Sequence, residues 1–440
     1  MELTGKVSFF ERFLHSQASG SVVLMLAAAT ALFWANSQWA GLYHALSHLE
    51  IGIVFGGRSY HMDLAHWVKD GLMTIFFFVV GLEIKREVLL GELSSLRKAA
   101  LPVLAAVGGC VTPAIIYYIL NMGGAGASGW GIPMATDIAF AIGILALLGS
   151  RVPVGLKVFL TALAIVDDLI AVLVIAAFYT AQINLVALAW ALAFLILFFL
   201  VVKSNARRPI AYLFPAFGVW ASLMFSGIHA TIAGVLIALL VPVRSQIDPG
   251  EFLDSIIRSI ECLGRSGPLT RDSLALNKQQ WRLVEEIYLA ADDMIPPGIF
   301  LEKQLHTIQA FVILPLFALF SAGVTITAQS MASFPGPIST GIMAGLVLGK
   351  QIGIMAFSWL AIVTGAADLP KGVRWPHVWG VSALAGIGFT MSIFISELGF
   401  EDQAMIDEAK IAIFIASLAA GVLGYLILRL TLPRKGADQA

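Results

Sequence analysis

Two adjacent acidic residues, Asp167 and Asp168, interrupt the run 158–178, which is otherwise almost wholly apolar and long enough to cross a bilayer as a helix. A carboxylate at mid-membrane costs roughly 2.5–3.5 kcal/mol on insertion scales, and neighbouring carboxylates also repel one another. A chain keeps such a pair where something binds it: a cation, a proton or a basic side chain. Hard cations such as Na⁺ and Li⁺ prefer oxygen ligands, which two carboxylates, a hydroxyl and backbone carbonyls can supply. The pair therefore predicts an ion-handling membrane protein.

Other polar groups fall at similar depth. The segment 131–140 contains Pro133, which removes a backbone donor, and then Thr136 and Asp137. The segment 377–398 carries Gly380 and the loosened stretch Ala385-Gly-Ile-Gly-Phe-Thr-Met-Ser392. Unsatisfied backbone cannot face lipid, so both breaks belong in a protein-lined cavity. Lys350 lies about ten residues into an apolar run, too deep to snorkel easily, and predicts a pairing with Asp167 or Asp168.

The elements that must position these groups are membrane helices. Of 440 residues, 59% are hydrophobic and only 12% charged, too few charges to cover a soluble domain of this size. A net charge of -1 argues against nucleic acid as a partner. Cys110 and Cys262 offer neither metal spacing nor a disulfide framework, and both read as structural or incidental.

Apolar windows predict an all-α membrane protein of about twelve spans: 20–36, 64–88, 99–121, 132–149, 154–179, 186–202, 209–222, 226–242, 300–323, 340–363, 377–398 and 409–430. Residues 1–20, with Lys6, Arg12, Val7, Phe10, Phe13 and Leu14, predict an amphipathic helix lying on the membrane. Basic residues set the orientation. Lys6 and Arg12 precede span one; Lys85, Arg86, Arg97 and Lys98 follow span two; Arg151 and Lys157 follow span four. Lys203, Arg207, Arg208, Arg244, Lys371, Arg374, Arg429, Arg434 and Lys435 fall on the same side. The opposite connections 121–131, 180–185 and 324–339 contain no Lys or Arg, and the one after span eleven is acidic, with Glu397, Glu401, Asp402, Asp407 and Glu408. Both termini are thus expected in the cytoplasm. The broken spans four and eleven sit in groups 3-4-5 and 10-11-12, which run in opposite senses and predict an inverted repeat.

The chain divides into 1–244 (spans one to eight), 245–297 (a cytoplasmic helical insertion) and 298–440 (spans nine to twelve). Residues 51–55 and 58–62 predict an outer hairpin around Gly56-Gly57, an edge suited to pairing with a second copy. In the insertion, Asp248-Pro249 starts one helix, with Leu253, Ile256, Ile257, Ile260 and Leu263 on one face. A second helix is expected from Thr270 to Asp293, ended by Pro296-Pro297.

Five motifs then carry a resemblance. Ala135-Thr-Asp-Ile-Ala-Phe-Ala, Ala162-Leu-Ala-Ile-Val-Asp-Asp-Leu, Gly81-Leu-Glu-Ile-Lys-Arg-Glu87, Ser226-Gly-Ile-His-Ala-Thr-Ile-Ala-Gly234 and Gly386-Ile-Gly-Phe-Thr-Met-Ser-Ile-Phe394 resemble the bacterial NhaA sodium/proton antiporters, over nearly the whole chain except 245–297. NhaA is itself a type example of the inverted-repeat transporter, so the resemblance and the repeat are not independent. The resemblance implies that Asp167 and Asp168 form the site where cation and protons compete, with Thr136 beside them. It implies that Asp137 offsets half-helix N-termini at the crossing of the broken helices, and that Lys350 offsets the facing C-terminal ends and pairs with Asp167. Glu83, Arg86, Glu87, His229 and Glu302 resemble positions in or near a cytoplasmic funnel linked to activation by alkaline pH. The hairpin resembles a homodimer contact, the location implied is the bacterial inner membrane, and no resident cofactor is implied. The chain departs from some members in its approach to Glu302, where the insertion ends in Pro296-Pro-Gly-Ile-Phe-Leu, so the resemblance does not carry the pH set-point.

Taken alone, the residues assign less to the last group. Glu83, Arg86 and Glu87 end a helix where mixed charges are routine, and His229, flanked by Gly227 and Thr231, reads as a packed or hydrogen-bonded histidine. The expected activity is electrogenic antiport by competition at one dicarboxylate, driven by the inward proton gradient. An intramembrane aspartyl protease would need aspartates on two facing helices, a geometry Asp137 and Asp168 could meet, but it leaves Lys350 and the doubled break unused. A solute symporter would need groups for an organic substrate, and none stand out.

Overall fold

The computed structural model describes residues 17–433 apart from 56–57, 181–182, 207, 271–276 and 326–333. The expected surface helix before residue 17, the Gly56-Gly57 turn, Arg207, Arg434 and Lys435 lie outside the described residues.

The architecture is helical. Among the described residues, six uninterrupted helices are long and apolar enough to cross a bilayer: Leu96–Asn121, Val154–Phe178, Leu185–Lys203, Pro297–Ser321, Pro337–Val363 and Gln403–Thr431. Three bent pairs pass the same test: Ser19–Ala35 with Ala40–Ser47 at 114°, Ala125–Met134 with Ile138–Leu147 at 42°, and Trp375–Ala385 with Phe389–Gly399 at 45°. The remaining expected spans are shorter or more polar than that. Residues 64–90 form a continuous helix, with a π turn over Val68–Leu72, that ends in the charged stretch Glu83–Glu87. Span seven is Pro209–Met224, and span eight shrinks to Ile232–Leu240 after an irregular stretch.

One boundary differs from the sequence reading for a physical reason. Span four begins at Ala125, inside what reads as a connection, because its first half is a 3₁₀ helix, Ala125–Met134, containing Pro133. A 3₁₀ helix rises about 2.0 Å per residue, so ten residues reach as far as about thirteen in an α-helix. Of the expected second insertion helix, residues 271–276 lie outside the described residues and Lys278–Met294 is helical; the Asn277 side chain caps it by accepting from Gln279 N at 3.0 Å and Gln280 N at 3.4 Å. Its predecessor, Pro249–Arg265, starts where expected, with Asp248 accepting from Gly250 N at 2.8 Å.

The hairpin pairs Glu50–Phe55 antiparallel with Arg58–Asp63, from Glu50 opposite Asp63 to Phe55 opposite Arg58. It marks one end of the molecule. The helix that follows it carries Lys85 and Arg86 to the other end, where Lys85 Nζ donates to the carbonyls of Leu239 and Val241. The insertion rejoins the bundle there, Gly298 N donating to Pro242 O at 2.8 Å. We refer to the hairpin end and the insertion end.

Close helix approach sets the depth of the charged groups. Pro337–Val363 packs along Leu96–Asn121 through small residues, with a π turn over Gly345–Gly349 just before Lys350. A Cβ on Gly349 would lie 2.8 Å from Pro113 Cα, so only glycine permits this spacing.

Candidate ion-binding site

At the middle of Val154–Phe178, successive side chains diverge by about 100° around the helix axis, so Asp167 and Asp168 meet different neighbours. Asp167 Oδ2 lies 2.6 Å from Lys350 Nζ, both side chains fully buried. Its Oδ1 accepts from Cys110 Sγ at 2.8 Å. Both oxygens of Asp167 are thus engaged by groups from two other helices. Asp168 is equally buried, at 3% exposure, yet no hydrogen bond from a described residue reaches its carboxylate. Asp167, Glu83, Asp137 and Lys350 act on it only through space.

The two broken helices cross beside this pair. Thr136 Oγ1 donates to Ala385 O at 2.8 Å, and Asp137 N donates to Ile387 O at 2.6 Å, stitching one extended segment to the other. The carboxylate of Asp137 closes two helices at once. Oδ1 accepts from Phe140 N at 3.1 Å, in the first turn of Ile138–Leu147. Oδ2 accepts from Thr390 N at 3.2 Å and from Thr390 Oγ1, in the first turn of Phe389–Gly399. Both half-helix N-termini, each a concentration of positive dipole and orphan N–H groups, share one anion. The facing C-terminal ends are met by neutral donors: the Thr136 hydroxyl at Ala385 O, and Ser392 Oγ at Ile132 O, 2.8 Å away. Lys350 makes its one hydrogen bond to Asp167 and none to these carbonyls.

The crossing of the two broken helices and the buried Asp167–Lys350 pair thus lie together in one place. The sequence matches the family described as "Na+/H+ antiporter 1" over residues 11–428. The chain belongs to that family. Similar full-length relatives include the Na(+)/H(+) antiporter NhaA of Oleidesulfovibrio alaskensis, 46% identical over 98% of this chain and 96% of that one. Those named Na(+)/H(+) antiporter NhaA in Sulfurimonas denitrificans and Acidithiobacillus ferrooxidans are 46% and 44% identical, the first over 96% of this chain and 95% of its own, the second over 98% and 99%.

Of the remaining positions singled out by the family resemblance, four come together at the insertion end. Arg86 bridges Glu302, with Nε at 3.0 Å from Oε2, and Glu87, with Nη1 at 2.8 Å from Oε1. Glu83 stands one turn back on the same helix, within electrostatic reach of all three. His229 does not join them. Its Nε2 lies 2.7 Å from Tyr179 O, and the charges acting on it are Asp70 and Lys69, at the hairpin end of the helix whose other end bears Arg86. The sixteen residues from Asp70 to Arg86 span about 24 Å of helix, so His229 lies far from the funnel where the motif implied it.

Sequence reasoning missed Cys110, Thr390 and a second buried charge cluster. Cys110 gave one faint signal, a polarisable group in the apolar helix Leu96–Asn121. Thr390 stood inside a quoted motif with no role. In the cluster, Glu397 Oε1 lies 2.8 Å from Lys410 Nζ and Oε2 3.8 Å from Lys69 Nζ. Glu397, counted from sequence with an acidic connection, sits inside Phe389–Gly399.

Proposed function

We propose that this chain exports Na⁺ or Li⁺ in exchange for protons, by competition at Asp167 and Asp168. The observation that carries the reading is the unequal state of the two carboxylates, one held by Lys350 and Cys110 and the other receiving no hydrogen bond from a described residue. A dehydrated cation entering beside Asp168 would supply the missing charge. It would draw on both carboxylates, with the Thr136 hydroxyl oxygen, whose proton is committed to Ala385 O, as a further ligand. Asp167 would then release Lys350, which either sheds its proton or waits as a structural cation. Asp137 has both oxygens occupied and serves as the fixed anion of the crossing, not as a ligand.

The wider reading is a twelve-span protein of the bacterial inner membrane with both termini cytoplasmic and spans 3-5 and 10-12 related by inversion. Its insertion end would face the cytoplasm, and two copies would join through hairpin 51–62. More than one proton per cation makes the cycle electrogenic. The Glu83–Arg86–Glu87–Glu302 cluster would carry the response to pH, and His229 a separate role at the opposite end.

Proton flux in liposomes tests this. With an acidic interior, external NaCl is expected to alkalinise the lumen while choline chloride does not, across external pH of about 6.5–8.5, the range in which buried titratable groups and histidines change charge. Asp168→Asn should abolish the response, and full activity in that variant would remove the assigned site.

A further inference from the structure

The insertion helices pack on each other and leave one side uncovered. They run antiparallel: Gln280 Nε2 reaches Ser266 O at the connecting end, and Gln246 N donates to Asp293 O at 3.0 Å at the base. Only part of the apolar arc of Pro249–Arg265 lies in that contact. Leu253, Ile257 and Ile260, at i, i+4 and i+7, are 57%, 53% and 55% exposed. On Lys278–Met294 the exposed apolar residues are Trp281 and Tyr288, at 60% and 67%. On a helical wheel each stripe lies roughly 90–110° from its helix's packed side, in the same rotational sense. In an antiparallel pair, equal senses of rotation point to the same side, so both stripes form one face.

The face runs into the lipid-facing surface of the bundle. Trp281, Tyr288 and the exposed Ile295 repeat every seven residues, and the next helix, Pro297–Ile308, opens with the exposed Phe300 and continues to Ile308 and Val312 on a membrane-crossing segment. The base is fixed at the end of the bundle by the Gly298–Pro242 hydrogen bond and by the buried Val243. Trp and Tyr beside an apolar stripe suit the headgroup boundary, where an amphipathic ring has one wet edge. The far side of the first helix is charged, with Glu251, Asp254, Arg258 and Glu261 exposed.

We infer that the helices Pro249–Arg265 and Lys278–Met294 lie on the bilayer, with Leu253, Ile257, Ile260, Trp281 and Tyr288 dipped into the acyl boundary. The contact is apolar and not electrostatic: the first helix carries three acidic and two basic residues, the second four and two. Anionic headgroups therefore add nothing to it.

The test uses the full chain in proteoliposomes, with Cys262→Ser and one new cysteine (Ile257→Cys, Tyr288→Cys or, on the charged side, Glu251→Cys) carrying an environment-sensitive fluorophore. Cys110 is buried, and the Cys262→Ser parent reports any background labelling. At 257 and 288 the emission should be blue-shifted. It should be quenched more by lipids brominated near the top of the acyl chain than near its end, because a surface helix dips roughly 5–10 Å. The label at 251 should be unquenched, and phosphatidylcholine and phosphatidylglycerol vesicles should agree. Labels at 257 and 288 no more quenched than that at 251 overturn the inference. So does shielding from aqueous iodide without lipid quenching, which means a protein covers the face. Quenching that appears only in anionic vesicles overturns the apolar contact.

Discussion

Asp137 and Thr390, 253 residues apart, share a two-point contact in which the Thr390 backbone N–H and hydroxyl both donate to one carboxylate oxygen. The other oxygen caps the helix that Asp137 itself begins. One buried anion therefore holds the N-termini of both broken helices, and the crossing is a single electrostatic unit.

That unit makes Asp137 a stability residue before it is a transport residue. An N-cap is worth about 0.5–2 kcal/mol, and two are served here, so Asp137→Ala should lose about 1–4 kcal/mol. Asp137→Asn keeps one acceptor oxygen and should lose less. Thermal unfolding in detergent decides it, and equal melting temperatures for Asp137→Ala and the parent would refute the double cap.

The adjacent carboxylates should respond in opposite ways. Asp167→Asn strands a buried lysine, at a cost of about 3–5 kcal/mol. Asp168→Asn removes a buried charge that receives no hydrogen bond from a described residue and should leave stability unchanged or raised while abolishing cation-driven flux. A fall in melting temperature for Asp168→Asn as large as for Asp167→Asn would mean that the two share one role.

Lys350→Met with Asp167→Asn forms a double-mutant cycle. Each single change strands one member of the pair, whereas both together remove the pair and leave neither member's charge without its partner, so the double variant should recover most of the loss. Losses that simply add would show that the 2.6 Å contact carries no coupling.

Cys110 supplies the second hold on Asp167. A hydrogen bond to a charged group contributes about 1.5–3 kcal/mol, so Cys110→Val should destabilise by roughly that amount and Cys110→Ser should not. If Val and Ser behave alike in thermal melts, the thiol is only filling space.

How much of this could be read in the residues depended on the kind of signal. Asp167, Asp168 and Lys350 were legible because each is expensive in an apolar span, and expense locates a charge without locating its partner's atoms. The breaks at Thr136–Asp137 and Gly386–Gly388 were legible from Pro and Gly, whereas the 3₁₀ start at Ala125 was not, since a Gly-rich polar stretch looks like a loop. Asn277 as a cap lay hidden within a longer polar segment. His229 was misplaced because a motif gives a residue's company along the chain and not its height in the bilayer. The Arg86 cluster assembled because Glu302 returns beside Arg86 after the insertion, a closure no local pattern shows.

The Lys69–Glu397–Lys410 cluster supports the last prediction. Glu397 touches Lys410 at 2.8 Å and Lys69 at 3.8 Å, and all three side chains are less than one fifth exposed. Glu397→Gln leaves two lysines facing one another without their anion, combining lost attraction with mutual repulsion. Lys69→Met removes the longer contact and the 3.4 Å hydrogen bond from Lys69 Nζ to Glu397 O, and leaves the Glu397–Lys410 pair intact. Glu397→Gln should therefore lose about 3–5 kcal/mol, and Lys69→Met no more than about 1 kcal/mol. Because the cluster lies at the hairpin end, away from Arg86, neither change should shift the pH profile of flux, whereas Arg86→Ala should. With Arg86 gone, Glu87 and Glu302 lose their ion-pair partner beside Glu83, so the pH profile of flux should move. Melting curves and flux profiles on these three variants test it together: equal destabilisation by Glu397→Gln and Lys69→Met, or a pH shift from either, would contradict the separation of the two ends.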